Sequence, residues 1–152
     1  MDLKLVELTR DNFSEVIELE LYDSQKKYSE SNLYIIAESK FSPSCQHSAI
    51  YLGDKVVGFL EYEYGESDID KDYCTIWRFM IDKKYQGSGI GKTAFGLLLK
   101  TIKSHGRCKL VDIYYEPENI VAKRLYASYG FREVGDRDDG TVIAEMNLSE
   151  IN

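Results

Sequence analysis

Two prolines, three cysteines and one tryptophan are all that the 152 residues hold of those types. The cysteines, Cys45, Cys74 and Cys108, are odd in number and widely spaced, which excludes a disulfide framework and the paired spacing of a zinc site. A reducing, cytosolic setting and no metal are the expectation. Pro43 and Pro117 fall in segments that read as loops, so proline interrupts no element. No apolar run approaches the ~18 residues of a membrane span. The opening MDLKLVELTRDNF turns polar within two residues and carries no apolar core segment, so no secretory signal and no membrane association are expected. Basic charge is also scarce: 19 Lys and Arg stand against 26 Asp and Glu, a net charge of −7. Neutralising phosphates needs a basic face, so nucleic acid is not an expected partner. An acidic chain suits a small cationic partner, although solubility alone also accounts for the charge. Repeats, low-complexity tracts and linkers are missing too.

What is present is ordinary for one globular domain spanning residues 1–152, with 43% hydrophobic and 30% charged residues. Leu3 to Leu8 alternates and reads as a strand. Thr9 or Asp11 is placed to cap a helix with Phe13, Val16, Ile17 and Leu21 on one face. A short helix is expected around Leu33 to Ala37. Ala49 to Leu52 and Val56 to Tyr64 flank Gly53-Asp54-Lys55 as a hairpin, and Thr75 to Ile81 is the next strand. A helix from Ile90 carries Ile90, Ala94, Leu97, Leu98 and Ile102 and ends at Gly106. Leu110 to Tyr115 is a strand. Asn119 caps a helix with Ala122, Leu125, Tyr126 and Tyr129, which stops at Gly130. Phe131 to Val134 and Thr141 to Leu148 are the last strands. The order predicts an α+β fold: a mixed, mostly antiparallel sheet with a central parallel crossover, flanked by helices.

The most informative stretch joins a strand to a helix: Tyr85-Gln86-Gly87-Ser88-Gly89-Ile90-Gly91-Lys92. Glycines at every second position let backbone approach a ligand closely, and their N–H groups with the helix N-terminus behind them make an anion site suited to a phosphate or pyrophosphate. Lys92 adds a point charge. A Walker A loop is a near miss: Gly91-Lys92-Thr93 fits its end, but Gln86 stands where its first glycine belongs. A dinucleotide fingerprint is a near miss as well, because the spacing is Gly-x-Gly-x-Gly in mid-chain.

The spacing that fits is Gln/Arg-x-x-Gly-x-Gly/Ala, carried by Gln86, Gly89 and Gly91. With Trp77-Arg78-Phe79-Met80-Ile81-Asp82 before it and Asn119, Ala122, Leu125-Tyr126 and Gly130-Phe131 after it, the chain resembles the GNAT acetyltransferases over roughly residues 3 to 148. Within that family, Arg78 to Asp82, Tyr85-Gln86-Gly87 and the run Ser24-Gln25, Tyr28, Glu30-Ser31 resemble bacterial spermine/spermidine acetyltransferases of the Blt type. The resemblance implies a GNAT-like fold, acetyl-CoA as co-substrate, an amine acceptor and a homodimer as a weak expectation. It also implies that Gln86, Gly87, Ser88, Gly89, Ile90, Gly91 and Lys92 hold the pyrophosphate. Phe79, Met80 and Ile81 would bind the pantetheine arm and polarise the thioester through their backbone. Asn119 would lie near the cofactor.

Tyr126 matches the family tyrosine that protonates the departing sulfur. A phenol, with a pKa of about 10, is protonated at neutral pH and fit for that task. On residues alone, Tyr126 is equally a core aromatic and Asn119 only a helix cap. Glu61, Glu63 and Glu116 are candidates to take the amine proton through water; Glu61 and Glu63 alternate along one strand face, which otherwise reads as solvated. Related diamine acetyltransferases carry acids just before the strand's Phe, where this chain has Trp77-Arg78, so their base does not transfer directly. Acceptor contacts are expected from Gln25, Tyr28, Glu30, Glu61 and Glu63, with Glu20, Tyr22 and Asp23 in reserve, since carboxylates and aromatic faces suit ammonium groups. His47, His105 and Lys109 read as structural or exposed. Two other functions fit the same residues: acetylation of another amine (an amino acid, a peptide N-terminus or an aminoglycoside-like drug), and a non-catalytic acyl-CoA-binding module.

Overall fold

Alternation decides the outer strand, and continuous apolar sequence decides the inner ones. In the computed structural model, which describes Met1–Asn152, strand β1 (Leu3–Glu7) pairs antiparallel with β2 (Cys45–Leu52), with Leu5 opposite Ile50. β2 starts at Cys45, earlier than its apolar end suggests. Gly53, at φ +62°, and Asp54 turn the chain into β3 (Lys55–Tyr64). Val56 to Tyr62 are all buried, the mark of a strand covered on both faces. Then follow β4 (Tyr73–Ile81), helix α4 (Ile90–His105), β5 (Leu110–Tyr115), helix α5 (Ile120–Ser128), β6 (Arg132–Asp136) and β7 (Val142–Asn147).

The seven strands are ordered β1-β2-β3-β4-β5-β7-β6. β4 and β5 are parallel, from Tyr73 opposite Leu110 to Ile76 opposite Ile113, whereas β5/β7 and β6/β7 are antiparallel. The expected α+β sheet with a parallel crossover is therefore present. Gly106, at φ +66°, ends α4 as expected.

The chain divides into two compact units. The first holds Met1–Tyr62 and Arg78–Leu98. Its core gathers Val16, Ala49, Val56, Phe59 and Met80, with Leu8, Leu19, Leu21, Ile35 and Ile36 packed on it. Val16 belongs to helix α1 (Phe13–Glu18), Ile35 and Ile36 to α3 (Asn32–Glu38), and Ala49, Val56, Phe59 and Met80 to β2, β3 and β4, whereas the four-residue α2 (Asp23–Lys26), which no periodicity announced, buries none of its residues. Neither Thr9 nor Asp11 caps α1. The cap position is Asn12, whose buried amide accepts from Thr9 N–H at 2.9 Å and donates to Glu7 C=O at 3.0 Å. Leu21 packs on the core from beyond the end of α1.

The second unit holds Glu63–Trp77 and Leu99–Asn152. Register explains its core: Val111, Ile113 and Tyr115 of β5 lie opposite Met146, Ala144 and Val142 of β7, and all six are buried. The other face of the same pair sets Asp112 opposite Glu145. None of Cys45, Cys74 and Cys108 is in a disulfide.

Candidate active site

Strand β4 ends at Ile81, and a one-turn bend over Lys83–Tyr85 delivers the chain to Gln86. Gly87 and Gly89 then adopt φ of +83° and +85°, a region L side chains avoid, while Gly91 already sits inside α4. The loop's first two glycines are demanded by conformation; the third is not. Ser88 Oγ closes the loop on Tyr85 C=O at 3.0 Å. The helix's first internal bond runs from Thr93 N–H to Gly89 C=O at 3.1 Å, so the N–H groups of Ile90 and Gly91 precede any intrahelical carbonyl. Gly87, Ser88, Gly89 and Lys92 are exposed. Backbone donors and the N-terminus of a 16-residue helix thus lie where an anion can reach them, with Lys92 in the helix's first turn.

Before the loop, a crowded strand sets the backbone. A Cβ on Gly58 of β3 would fall 2.5 Å from Met80 C=O and 2.9 Å from the Cδ1 atoms of Ile50 and Ile81, so only glycine lets β4 lie this close. Phe79 is edge-on to Phe95 of α4, with centroids 5.1 Å apart. Met80 is buried against Asn32, whose Nδ2 is 3.7 Å from its sulfur.

The segment from Glu20 to Asn32 is tied to this strand and loop in three places. Asp82 accepts from Glu20 N–H at 2.8 Å and Lys84 N–H at 2.9 Å, while Lys83 Nζ meets Glu20 Oε2 at 2.7 Å. Gln25 and Gln86 exchange two amide hydrogen bonds of 2.9 Å. The buried Arg78 guanidinium donates to Ser29 Oγ and Asn32 Oδ1. Ser31 caps α3 by accepting from Tyr34 N–H at 3.1 Å, so part of the Ser-Gln…Tyr…Glu-Ser run is architecture. Lys27 Nζ stands 5.1 Å above the Tyr28 ring, and Asp23 pairs with Lys26 at 3.1 Å. Glu20 is held below the usual carboxylate range by its hydrogen bond to Lys83. Glu30 is exposed and free of such a partner.

The acidic strand face is not the solvated surface its alternation suggests. Glu61 is only 8% exposed, and its Oε2 lies 2.6 Å from Nε2 of His47 on β2, whose ring stacks on Phe59 with centroids 5.9 Å apart. Glu63 accepts from Trp77 Nε1 at 3.2 Å. Glu116 is half-buried just after β5.

In the second unit Asn119 caps α5, its Oδ1 accepting from Ala122 N–H at 3.3 Å. Tyr126 is buried between Tyr115 and Phe131, with ring centroids at 5.5 and 6.0 Å. Tyr115 donates to Glu133 at 3.0 Å, and burial, with that carboxylate, pushes its phenol up to about 12. On the face of Asp112 and Glu145, Asp112 accepts from Thr75 Oγ1 at 2.5 Å and Tyr114 at 3.2 Å, and Glu145 from Tyr73 at 3.4 Å. Trp77, 44% exposed, stacks on Tyr114 with centroids 5.5 Å apart, and Arg137 lies 4.8 Å from the Tyr114 ring on its own account. No group of three or more His, Cys, Asp or Glu side chains is gathered as for a metal ion, and no helix is long and apolar enough to cross a membrane.

The profile of the acetyltransferase (GNAT) family matches residues 4–131. The chain is also 30% identical over 141 residues to the spermine/spermidine N(1)-acetyltransferase of Bacillus subtilis (strain 168), covering 91% of this chain and 93% of that one. The chain belongs to the GNAT acetyltransferase family. Among solved structures, spermidine N-acetyltransferase from Vibrio cholerae, in complex with CoA and spermine, superposes with a TM-score of 0.75 at 16% identity, covering 98% and 97% of the two chains. The aminoglycoside acetyltransferase AAC(6')-Ib in complex with coenzyme A does so with a TM-score of 0.79 at 15% identity, covering 98% and 96%. These two establish the GNAT fold.

Three features of this GNAT protein escape its sequence pattern. Gly58 had a signal, a lone glycine inside an apolar strand, which marks close backbone approach. His47 had none, because its partner lies 14 residues away on the next strand. The Trp77–Tyr114 stack joins two strands that only the parallel crossover makes neighbours.

Proposed function

We propose that this acetyltransferase transfers the acetyl group of acetyl-CoA to a primary amine of a polyamine of the spermine or spermidine kind, and that residues 1–152 act as one catalytic domain. The observation that carries this reading is the 30% identity to a spermine/spermidine acetyltransferase over 91% of the chain. It is supported by a phosphate-ready loop and by acidic and aromatic side chains in both units. In this reading Gln86 to Lys92 hold the pyrophosphate with backbone donors and one lysine. The backbone of Phe79, Met80 and Ile81, fixed by the approach of Gly58, aligns the pantetheine arm and polarises the thioester carbonyl. Asn119 approaches the cofactor in addition to capping α5.

The neutral amine attacks the thioester carbon, the C–S bond breaks, and Tyr126 gives its phenolic proton to the departing sulfur. The amine's own proton leaves through water to a carboxylate. Glu61, backed by His47, is the preferred acceptor and Glu116 the second. Gln25, Tyr28, Glu30, Glu61 and Glu63 contact the polycation. The reading includes a cytosolic enzyme working on small molecules, without nucleic acid or membrane, and a homodimer.

A panel of amines assayed by thiol release tests it. Spermine and spermidine should be turned over best. Preference for an amino acid or an aminoglycoside would remove the polyamine acceptor and leave the acetyltransferase. Binding of acetyl-CoA with no thiol released to any amine would remove catalysis as well.

A further inference from the structure

Helix α2 is four residues long and buries none of them. A helix that short has no stability of its own, so outside contacts set its place. The contact α2 itself makes to the cofactor loop is the Gln25–Gln86 pair. Gln25 Nε2 donates to Gln86 Oε1, and Gln86 Nε2 donates to Gln25 Oε1, both at 2.9 Å. Each amide has a further backbone anchor. Gln86 Nε2 donates its second hydrogen to Ile81 C=O at 2.9 Å, and Gln25 Oε1 also accepts from Tyr22 N–H at 3.2 Å. These anchors fix the orientation of both amides, because flipping either one would set like against like at a backbone group. Gln86 directly precedes Gly87-Ser88-Gly89, and Gln25 lies at the centre of the segment assigned to the amine. Displacing Gln86 breaks two bonds unless α2 moves with it.

We propose that Gln25 is a positioning residue that couples the two substrates: through its paired amide, occupancy of the glycine loop orders residues 22–31, so acetyl-CoA binding strengthens amine binding and the amine strengthens acetyl-CoA binding by the same factor. This rests on the functional reading above. The flanking ties, Glu20 to Asp82 and Ser29 to Arg78, attach the segment on either side of α2, and neither is made by α2 itself. Gln25 touches neither reacting atom in this role.

Hydrogen exchange with and without CoA, read on wild type and Gln25→Ala, tests the coupling without requiring turnover. In wild type CoA should slow exchange in both 86–92 and 22–31. In Gln25→Ala the loop should still be protected, while protection of 22–31 falls at least threefold. Gln25→Glu keeps the acceptor and loses the donor, and should fall between the two. Spermidine titrated against protein with and without CoA gives the second readout: a ratio of affinities of about fivefold or more in wild type, close to one in Gln25→Ala. Gln25→Ala/Gln86→Ala should show no loss of coupling beyond either single change. Equal protection of 22–31 in wild type and Gln25→Ala overturns the coupling, as does loop protection in wild type without protection of 22–31. CoA that protects neither segment overturns the acyl-CoA reading itself.

Discussion

Glu61 and His47 face each other across β3 and β2 with 2.6 Å between Oε2 and Nε2, and both side chains are nearly enclosed, 10% and 14% exposed. A carboxylate so placed keeps its interaction only while the imidazole stays with it, and an unpaired buried carboxylate is costly. In the proposed reaction this carboxylate is the group that takes the amine's proton through water.

Glu61→Gln should therefore lower kcat/KM by about 10- to 1,000-fold, near the lower part of the usual acid–base range, and His47→Gln should lower it less. Steady-state rates on the folded variants decide the matter. An unchanged kcat/KM in a folded Glu61→Gln protein returns the pair to a structural role and moves the search to Glu116.

The cofactor loop offers a sharper test. Gly89→Asp places a negative side chain at φ +85°, where open space surrounds the Cβ position but the backbone is strained for any L residue; Gly89→Asn, with the strain and without the charge, is its control and separates the two effects. Acetyl-CoA affinity should fall at least tenfold, about 1.4 kcal/mol, measured by calorimetry on protein whose circular dichroism is unchanged. Full affinity in the folded variant contradicts the loop assignment.

Tyr126→Phe keeps the ring against Tyr115 and Phe131 and removes only the proton. Turnover should drop by about 10- to 1,000-fold with little change in acetyl-CoA affinity. Near-normal kcat, under conditions where chemistry limits the rate, leaves Tyr126 as a core aromatic.

Gly58→Ala tests the strand proposed to carry the thioester contacts. The added methyl meets Met80 C=O at 2.5 Å, and overpacking of this kind costs about 1–3 kcal/mol. Thermal unfolding should shift down by roughly 2–4 °C for each kcal/mol in a chain of this size, and acetyl-CoA affinity should fall with it as the Phe79–Ile81 backbone moves. An unaltered melting temperature and affinity show that β4 does not depend on that approach.

The legible parts of this protein were those where one local period or one turn carries the information. β5 runs from Leu110 to Tyr115 as the alternation predicts, and α5 is capped by Asn119 as its side chain predicts. The α4 stripe departs from its predicted spacing at one point: Phe95 and Leu99 are buried, and Leu97 is half-buried. What sequence could not show depends on strand neighbours. Glu61 alternates like a solvated residue but is buried because β2 sets His47 beside it. Helix α2 has no apolar face to betray it and is held by polar ties to residues about 60 positions away, as with Gln25 and Gln86.

The acceptor carries the last prediction. The motivation is the net charge of −7, the unpaired Glu30, and carboxylates set beside aromatic rings, with Glu63 bonded to Trp77. Glu20 and Asp23 already hold lysines, so Glu30 is the better candidate to meet an ammonium in the proposed reading. If a polycation is the acceptor, spermine or spermidine should outperform a monoamine of similar length, because each added ammonium meets a carboxylate instead of water. Such partly exposed pairs contribute about 1 kcal/mol or less each, so Glu30→Gln should raise the polyamine KM only severalfold while the acetyl-CoA KM stays put. Salt should raise the polyamine KM, since screening cuts surface attraction beyond about 10 Å at 0.1 M. Rates for spermine, spermidine and a monoamine at two ionic strengths give the answer. Equal efficiency on the monoamine, with no salt dependence, rejects the polyamine and turns the search to amines without repeating charge.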